Sequence, residues 1–363
     1  MMGIKRDFIG MFAVMKGILM LMVLMIHHIA FNQAVLPSGM VDMLSQATRY
    51  GVTAIALFFM VSGYTLRREE NWRGYARRQA RQLLAPYFVM MVICVGLRAF
   101  FALCMGRFRI QVISPVALAF LYGSNTPFEL FGEIWVTSVV AFWFLPVLFF
   151  GGVLRQLLWR IGNTALQALC LWGLVAAAVS FPSTDELQLP WFLVQSCTAL
   201  GYLEIGRLLR QHKVLFRRLP LAFVLAATLL WLFLHRYSNA GVAANLWPFW
   251  MLDYLGGAAF GVVVLRLYIR SGFAAARYTG LLSYIGRYSL YFLCMHGMEL
   301  IVLPWGASMR RPLLELFIPS GVLFWGILLL RLLFVLAGCL LIQRGKLWLQ
   351  KKRMAGRPVK KRN

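Results

Sequence analysis

Lys16 and His27 stand eleven residues apart inside one long apolar run, Phe8 to Phe31. An ionisable group at bilayer depth is costly, so it is retained facing a protein interior or a water-filled cavity, usually for a task. Eleven residues is close to three helical turns. Both side chains therefore fall on nearly the same face, roughly 16 Å apart along the axis. That face offers an anion-binding ammonium at one depth and a proton-transfer imidazole at another. His28, turned about 100° away from His27, reads as structural. His212 and His235 fall at span ends and read as interfacial.

A second set lies late in the chain, in the stretch from Ser283 to His296. Glu299 follows His296 by one turn on the same face, where a carboxylate can orient or charge an imidazole. The spans carrying His27 and His296 run in the same direction, which puts the two histidines at comparable depth. A lone membrane histidine is often a packed, hydrogen-bonded helix residue; two at matched depth beside a carboxylate favour function. His27, His28, His296 and Glu299 are metal-ligand types, but a His-x-x-Glu spacing alone is a weak signal and no metal is expected. The chain has no Gly-x-Ser-x-Gly elbow, P-loop or Rossmann glycine pattern.

Arginines make the third set: Arg67, Arg68, Arg73, Arg77, Arg78 and Arg81, followed by Pro86-Tyr87. Arg78 and Arg81 are three apart and share a helical face. Guanidinium forks bind phosphate bidentately, so this stretch suits a polyphosphate. A positive-inside loop resting on anionic lipid accounts for the same charge. Just upstream, Ser62-Gly63 sits in a dense apolar segment, where small residues serve either close helix packing or a site.

The elements that position these residues are membrane helices. Hydrophobic residues make up 61% of the 363 and charged residues 13%, against about a quarter charged in soluble domains. Stretches long enough to span fall near 8–31, 48–66, 83–105, 134–154, 164–181, 189–206, 219–235, 246–265, 281–303 and 314–342. The expected fold is thus an all-α polytopic bundle of about ten transmembrane helices. Residues 1–345 form one membrane domain, and 346–363 form a basic tail expected to be disordered or lipid-bound. The stretch 111–122 is too short to span. The N-terminal run is too long for a cleavable signal and reads as a retained first span.

The net charge of +25 is a matter of topology rather than nucleic-acid binding. With a cytoplasmic N-terminus, most Lys and Arg fall in cytoplasmic connections and the tail. The opposite connections hold only Arg49, Arg107, Arg109, Arg236, Arg310 and Arg311. That bias is the positive-inside signature, with both termini cytoplasmic. Lys16, Arg98, Arg287 and Arg331 lie in or at the edge of spans. The six cysteines fall in or near spans without CxxC pairs, so neither a zinc ribbon nor a disulfide framework is indicated.

These residues, in this order, resemble the acyltransferase type 3 family of multi-pass membrane proteins. The family's basic residue, ten intervening residues and histidine are matched by Lys16 and His27. Its Phe-Phe-x-x-Ser-Gly element is matched by Phe58-Phe59-Met60-Val61-Ser62-Gly63. Its Arg-x-x-Arg before Pro-Tyr is matched by Arg78, Arg81, Pro86 and Tyr87, and its Trp-Phe-Leu by Trp143-Phe144-Leu145. Its late Gly-x-x-Ser-Leu-Tyr and histidine are matched by Gly286, Ser289, Leu290, Tyr291 and His296. Lys16 departs from the arginine usual there, giving a point charge instead of a fork. Many relatives carry an extra hydrolase-like domain, for which this chain has no room.

The resemblance implies transfer of an acyl group, most often acetyl, from cytoplasmic acyl-CoA to a hydroxyl of a surface glycan, lipid-linked sugar or similar acceptor. The setting it implies is the plasma (inner) membrane of a bacterium, with lipid bilayer, acyl-CoA and acceptor as partners and no nucleic acid. Arg77, Arg78 and Arg81 then suit the CoA phosphates, and Ser62 lies on the pantetheine's path. His27 suits general-base removal of the hydroxyl proton. His296 and Lys16 are candidates for the oxyanion. Two other classes fit the residues. One is a proton-coupled transporter or exporter using Lys16, His27, Glu204, Asp253 and Glu299, although inverted repeats are not visible. The other is a non-catalytic membrane scaffold.

Overall fold

In a computed structural model of the chain, residues 8–32, 38–48, 51–130, 134–181, 189–273, 279–303 and 320–355 are described. After one turn at Phe8–Met11 come α1 (Ala13–Asn32), α2 (Ser38–Thr48), α3 (Val52–Thr65), α4 (Trp72–Gln79), α5 (Ala85–Cys104) and α6 (Ile110–Tyr122). A short antiparallel hairpin, β1 (Phe128–Leu130) and β2 (Ile134–Val136), pairs Glu129 with Trp135. Then follow α7 (Phe144–Leu158), α8 (Thr164–Ser180), α9 (Leu193–Gln211), α10 (Leu221–Tyr237), α11 (Met251–Ser271), α12 (Gly280–Arg287), α13 (Ser289–Val302) and α14 (Ser320–Ala355).

The result is a helical membrane protein. Among the described residues, five helical stretches are long and apolar enough to cross a bilayer: Ala13–Phe31, Trp72–Cys104, Val140–Leu158, Met251–Ser271 and Gly321–Trp348. Five shorter apolar helices accompany them, including α3, α8, α10 and α13.

Two glycine-mediated crossings fix the bundle around the residues of interest. A Cβ on Gly17 of α1 would stand 2.0 Å from the Leu282 carbonyl oxygen, and one on Gly286 of α12 would stand 1.7 Å from that of Ala13. Backbones in contact at these distances admit no side chain, as at small-residue crossings in membranes generally. The same device locks α3 to α9: a Cβ on Gly63 would lie 2.0 Å from the Leu203 carbonyl oxygen, and one on Gly206 would lie 1.9 Å from that of Met60. Gly63 is therefore a packing residue. Its neighbour Ser62 faces a cavity and donates its hydroxyl to the Phe58 carbonyl at 2.9 Å.

Several boundaries differ from expectation. The stretch 134–154 is not one helix: it holds β2, then a 3₁₀ turn at Val140–Trp143, and becomes α-helical at Phe144. Val140 sits at φ 53°, a strained conformation for a β-branched residue, which a continuous helix cannot contain. The ninth expected span breaks at Tyr288, between α12 and α13. A π-helical turn, Ala80–Leu84, joins α4 to α5. Pro86 follows it without the N–H that an unbroken ladder would use, and the wider turn absorbs that register change.

The basic segment from Lys346, expected to be a disordered or lipid-bound tail, is helical as far as Ala355. Proline is absent until Pro358, and Leu347, Trp348 and Leu349 follow Lys346 in sequence, so little opposes helix continuation. Residues 356–363 lie outside the described residues, as does most of the connection holding Arg310 and Arg311. Within 106–133, α6 contains Pro115 and ends on Gly123 at φ 78°, a left-handed cap that glycine adopts without strain.

Candidate active site

Two cavities meet inside the bundle, and their linings share Lys16, Ser62 and Leu148. One, of about 380 Å³, is mostly apolar, walled by Met20, Val23, Ile26, Ile55, Phe58, Phe144 and Leu293. Lys16, His27, Ser62, Asn125 and Ser289 supply its polar groups. The other, of about 300 Å³, is polar and lined by Thr65, Arg67, Glu69, Tyr75 and Gln79. Lys16 and Ser62 stand at the junction, on α1 and α3.

Local sequence explains how the walls are built. The helical period of α1 brings Lys16, Met20, Val23 and His27 to one wall, as eleven residues predict. The break at Tyr288 starts α13 with Ser289 against the cavity. The strained turn at Val140 delivers Trp143, Phe144 and Leu145 to the opposite wall. The rim of the polar cavity is pinned from below: Arg210 donates to the Leu66 carbonyl at 2.6 Å, and Gln156 donates to the Arg67 carbonyl at 2.7 Å. Gln156 also accepts from the Glu69 N–H at 3.1 Å.

At the far end of the apolar cavity the His27 and His296 rings lie 5.3 Å apart, centroid to centroid. His296 is fully buried, and its Nδ1 is 2.9 Å from Glu299 Oε1. Arg331 of α14 forks onto the same carboxylate, with Nη2 2.8 Å and Nε 3.0 Å from Oε1, and Nε 3.2 Å from Oε2. Its Nη1 lies 3.2 Å from His28 Nδ1, and His28 Nε2 is 3.0 Å from the Phe324 carbonyl oxygen. An ionised carboxylate only accepts hydrogen bonds, so His296 carries its proton on Nδ1 and presents a bare Nε2. That Nε2 is buried with no hydrogen-bond partner among the described residues. By the same logic His28 donates from Nε2 to Phe324 and accepts at Nδ1.

This arrangement can take a proton from a group in the apolar cavity while a polar reactant occupies the adjoining cavity. The family model for the acyltransferase domain matches residues 12–351. The chain belongs to the acyltransferase type 3 family. No curated protein and no solved structure matches it. Family membership makes this a membrane acyltransferase.

Of the residues singled out in the sequence of this acyltransferase, the structure brings Lys16, Ser62 and His27 to one cavity and sets His296 against His27. Arg77, Arg78 and Arg81 are exposed and outside both cavity linings. Arg78 pairs with Glu69, which lines the polar cavity, and lies 5.7 Å over the Tyr75 ring. Arg81 sits within the π turn. Arg331 and Asn125 were not singled out. Arg331 had a signal, a lone arginine in an apolar run; Asn125 had none. No group of three His, Cys, Asp or Glu side chains converges to metal-binding distance among the described residues.

Glu204 belongs to a separate cluster. Arg155 reaches it at 2.7 and 3.0 Å, and Arg207 at 2.8 and 2.7 Å. Arg155 also donates to Gln167 and lies 4.3 Å over the Trp159 ring.

Proposed function

We propose that this membrane acyltransferase moves an acyl group, acetyl in the first instance, from acyl-CoA to a hydroxyl of a surface glycan or lipid-linked sugar. The observation that carries the reading is the junction at Lys16 and Ser62, where a polar cavity meets an apolar one ending at His27 and His296. CoA is polar at its phosphates and thin along its pantetheine, which suits entry by the Arg67 side, and the positive-inside bias makes that side cytoplasmic. Ten spans, cytoplasmic termini and a bacterial inner-membrane location complete the proposal.

In the reaction, His27 removes the acceptor's hydroxyl proton. The oxygen attacks the thioester carbonyl carbon and a C–O bond forms. The oxyanion collapses, the C–S bond breaks, and the CoA sulfur leaves with the proton as free thiol. Lys16 is positioned to steady the oxyanion, and His296, whose bare Nε2 accepts a hydrogen bond, to orient the acceptor. Arg77, Arg78 and Arg81 hold the phosphates at the rim, with Arg78 exchanging Glu69 for phosphate. A proton-transport path is disfavoured, because Glu204 is closed off by two arginines and an Asp253 oxygen accepts the Phe249 N–H at 2.7 Å.

The test is purified protein with labelled acetyl-CoA and an envelope extract. Base-labile label in extracted glycan or lipid, with release of free CoA thiol, is the expected result. Donor-independent proton flux in vesicles, with no label transferred, would replace this reading with a carrier.

A further inference from the structure

We infer that Arg331 is a positioning residue for His296, acting through Glu299; the inference rests on His27 and His296 being the proton-handling pair. Arg331 is fully buried, in the middle of an apolar helix, where an unpaired guanidinium would be strongly disfavoured. Its fork covers both Glu299 oxygens, and Oε1 also receives His296 Nδ1. A permanently charged guanidinium keeps this carboxylate an acceptor. A neutral carboxyl in the same place would donate to Nδ1 and leave the imidazole proton on Nε2. The bare nitrogen beside His27 would then become an N–H, and a group able to take a proton would become one that cannot.

His28 closes the arrangement from the other side. It accepts from Arg331 Nη1 at 3.2 Å, and its ring packs 4.4 Å from Phe324. Adjacent residues of α1 thus divide the work: His27 faces the cavity, and His28 contacts the guanidinium that sets the His296 tautomer. Arg331 ties α1, α13 and α14 to one geometry.

The experiment uses the full chain in detergent, labelled with ¹⁵N-histidine. The variant E299Q/R331M removes both charges together, so no ion is left buried alone. It is compared with wild type in kcat, acyl-CoA KM, thermal midpoint and His296 ring ¹⁵N shifts, assigned with H296Q. The expected result is an acyl-CoA KM and midpoint near wild type, a kcat lower by at least about tenfold, as for outer-shell partners of histidine elsewhere, and a His296 Nε2 signal moved from bare toward protonated. A wild-type kcat with an unchanged tautomer overturns the inference. Should that variant not fold, R331K keeps the charge. A retained Nδ1–H tautomer with most of kcat supports it, and a mixed tautomer at wild-type kcat overturns it. If H27A transfers acyl groups at the wild-type rate, the underlying catalytic reading fails instead, while the ¹⁵N shifts still decide what Arg331 does to His296.

Discussion

Among the described residues the bundle holds two buried arginine–glutamate clusters, and they differ in one respect. Around Glu204, two arginines take both carboxylate oxygens, Gln167 takes the remaining reach of Arg155, and Trp159 covers the guanidinium. Around Glu299, one arginine takes the carboxylate, and the other partner is a histidine whose second nitrogen is left open beside another imidazole. The same chemistry, saturated, ties α7 to α8 and α9. Left one bond short, it sets a bare imidazole nitrogen against His27, which lines the apolar cavity. Burial of charge therefore does not by itself mark the site; the open nitrogen of His296 set against a cavity-lining imidazole does.

The contrast breaks first at His27. His27→Ala should lower acyl transfer by on the order of 10²–10⁴, the usual loss of a positioned base. The protein should still insert and bind acyl-CoA, read by label transfer alongside donor binding. A wild-type rate would end the mechanism, though not the family membership.

The Glu204 cluster should fail in the opposite sense. Arg155→Met leaves a buried carboxylate short of one partner, and breaking such a pair costs about 3–5 kcal/mol. The thermal midpoint should fall while kcat of the surviving folded fraction stays within about threefold, well short of what a positioned base contributes. A kcat loss as deep as that of His27→Ala, at an unchanged midpoint, would put the Glu204 cluster inside the chemistry and erase the distinction.

A smaller effect is expected at the rim. Arg78→Ala/Arg81→Ala should weaken acyl-CoA binding about tenfold, as loss of a charge-assisted contact does, with acceptor affinity unchanged. Equal donor affinity in calorimetry would return these arginines to the role of lipid-facing positive charge. Glu69→Gln sharpens the point. It frees Arg78 from its present partner, so donor affinity should rise if phosphate and Glu69 compete for the same guanidinium.

Much of the site was legible because helical period carries it. Lys16 and His27 share a wall for the reason their spacing predicts, and Glu299 meets His296 because residues three apart face one another. Five spans were legible from apolar length, at 13–31, 72–104, 140–158, 251–271 and 321–348. What escaped was whatever depends on contact between distant segments. Arg331 lies 32 residues beyond Glu299; only the cost of a charge in lipid hinted that it needed a partner. The break at Tyr288 and the turn at Val140 lie in stretches as apolar as any helix, so hydropathy ran through both. The helical course of 346–355 was hidden by its charge, since basic composition suggests disorder unless Leu347 and Trp348 are weighed as an apolar stripe.

The finest test of the comparison is His28. It belongs to the Glu299 cluster through Arg331, yet it is not part of the cavity lining that His27 joins. His28→Ala removes an acceptor of Arg331 Nη1 and the ring packed at a tilt against Phe324. Losing one hydrogen bond to a charged group typically costs about 1.5–3 kcal/mol, so the midpoint should drop. The fork onto Glu299 is independent of His28, so the His296 tautomer should survive and kcat should fall by less than about tenfold, below the range for a positioned base. His28→Gln, whose carbonyl can accept from the guanidinium, should recover part of the midpoint. Activity and stability measured together on these two variants separate holding from reacting within a single turn of α1. A collapse of kcat in His28→Ala as deep as in His27→Ala would show that the cluster acts as one unit, with no residue in it serving structure alone.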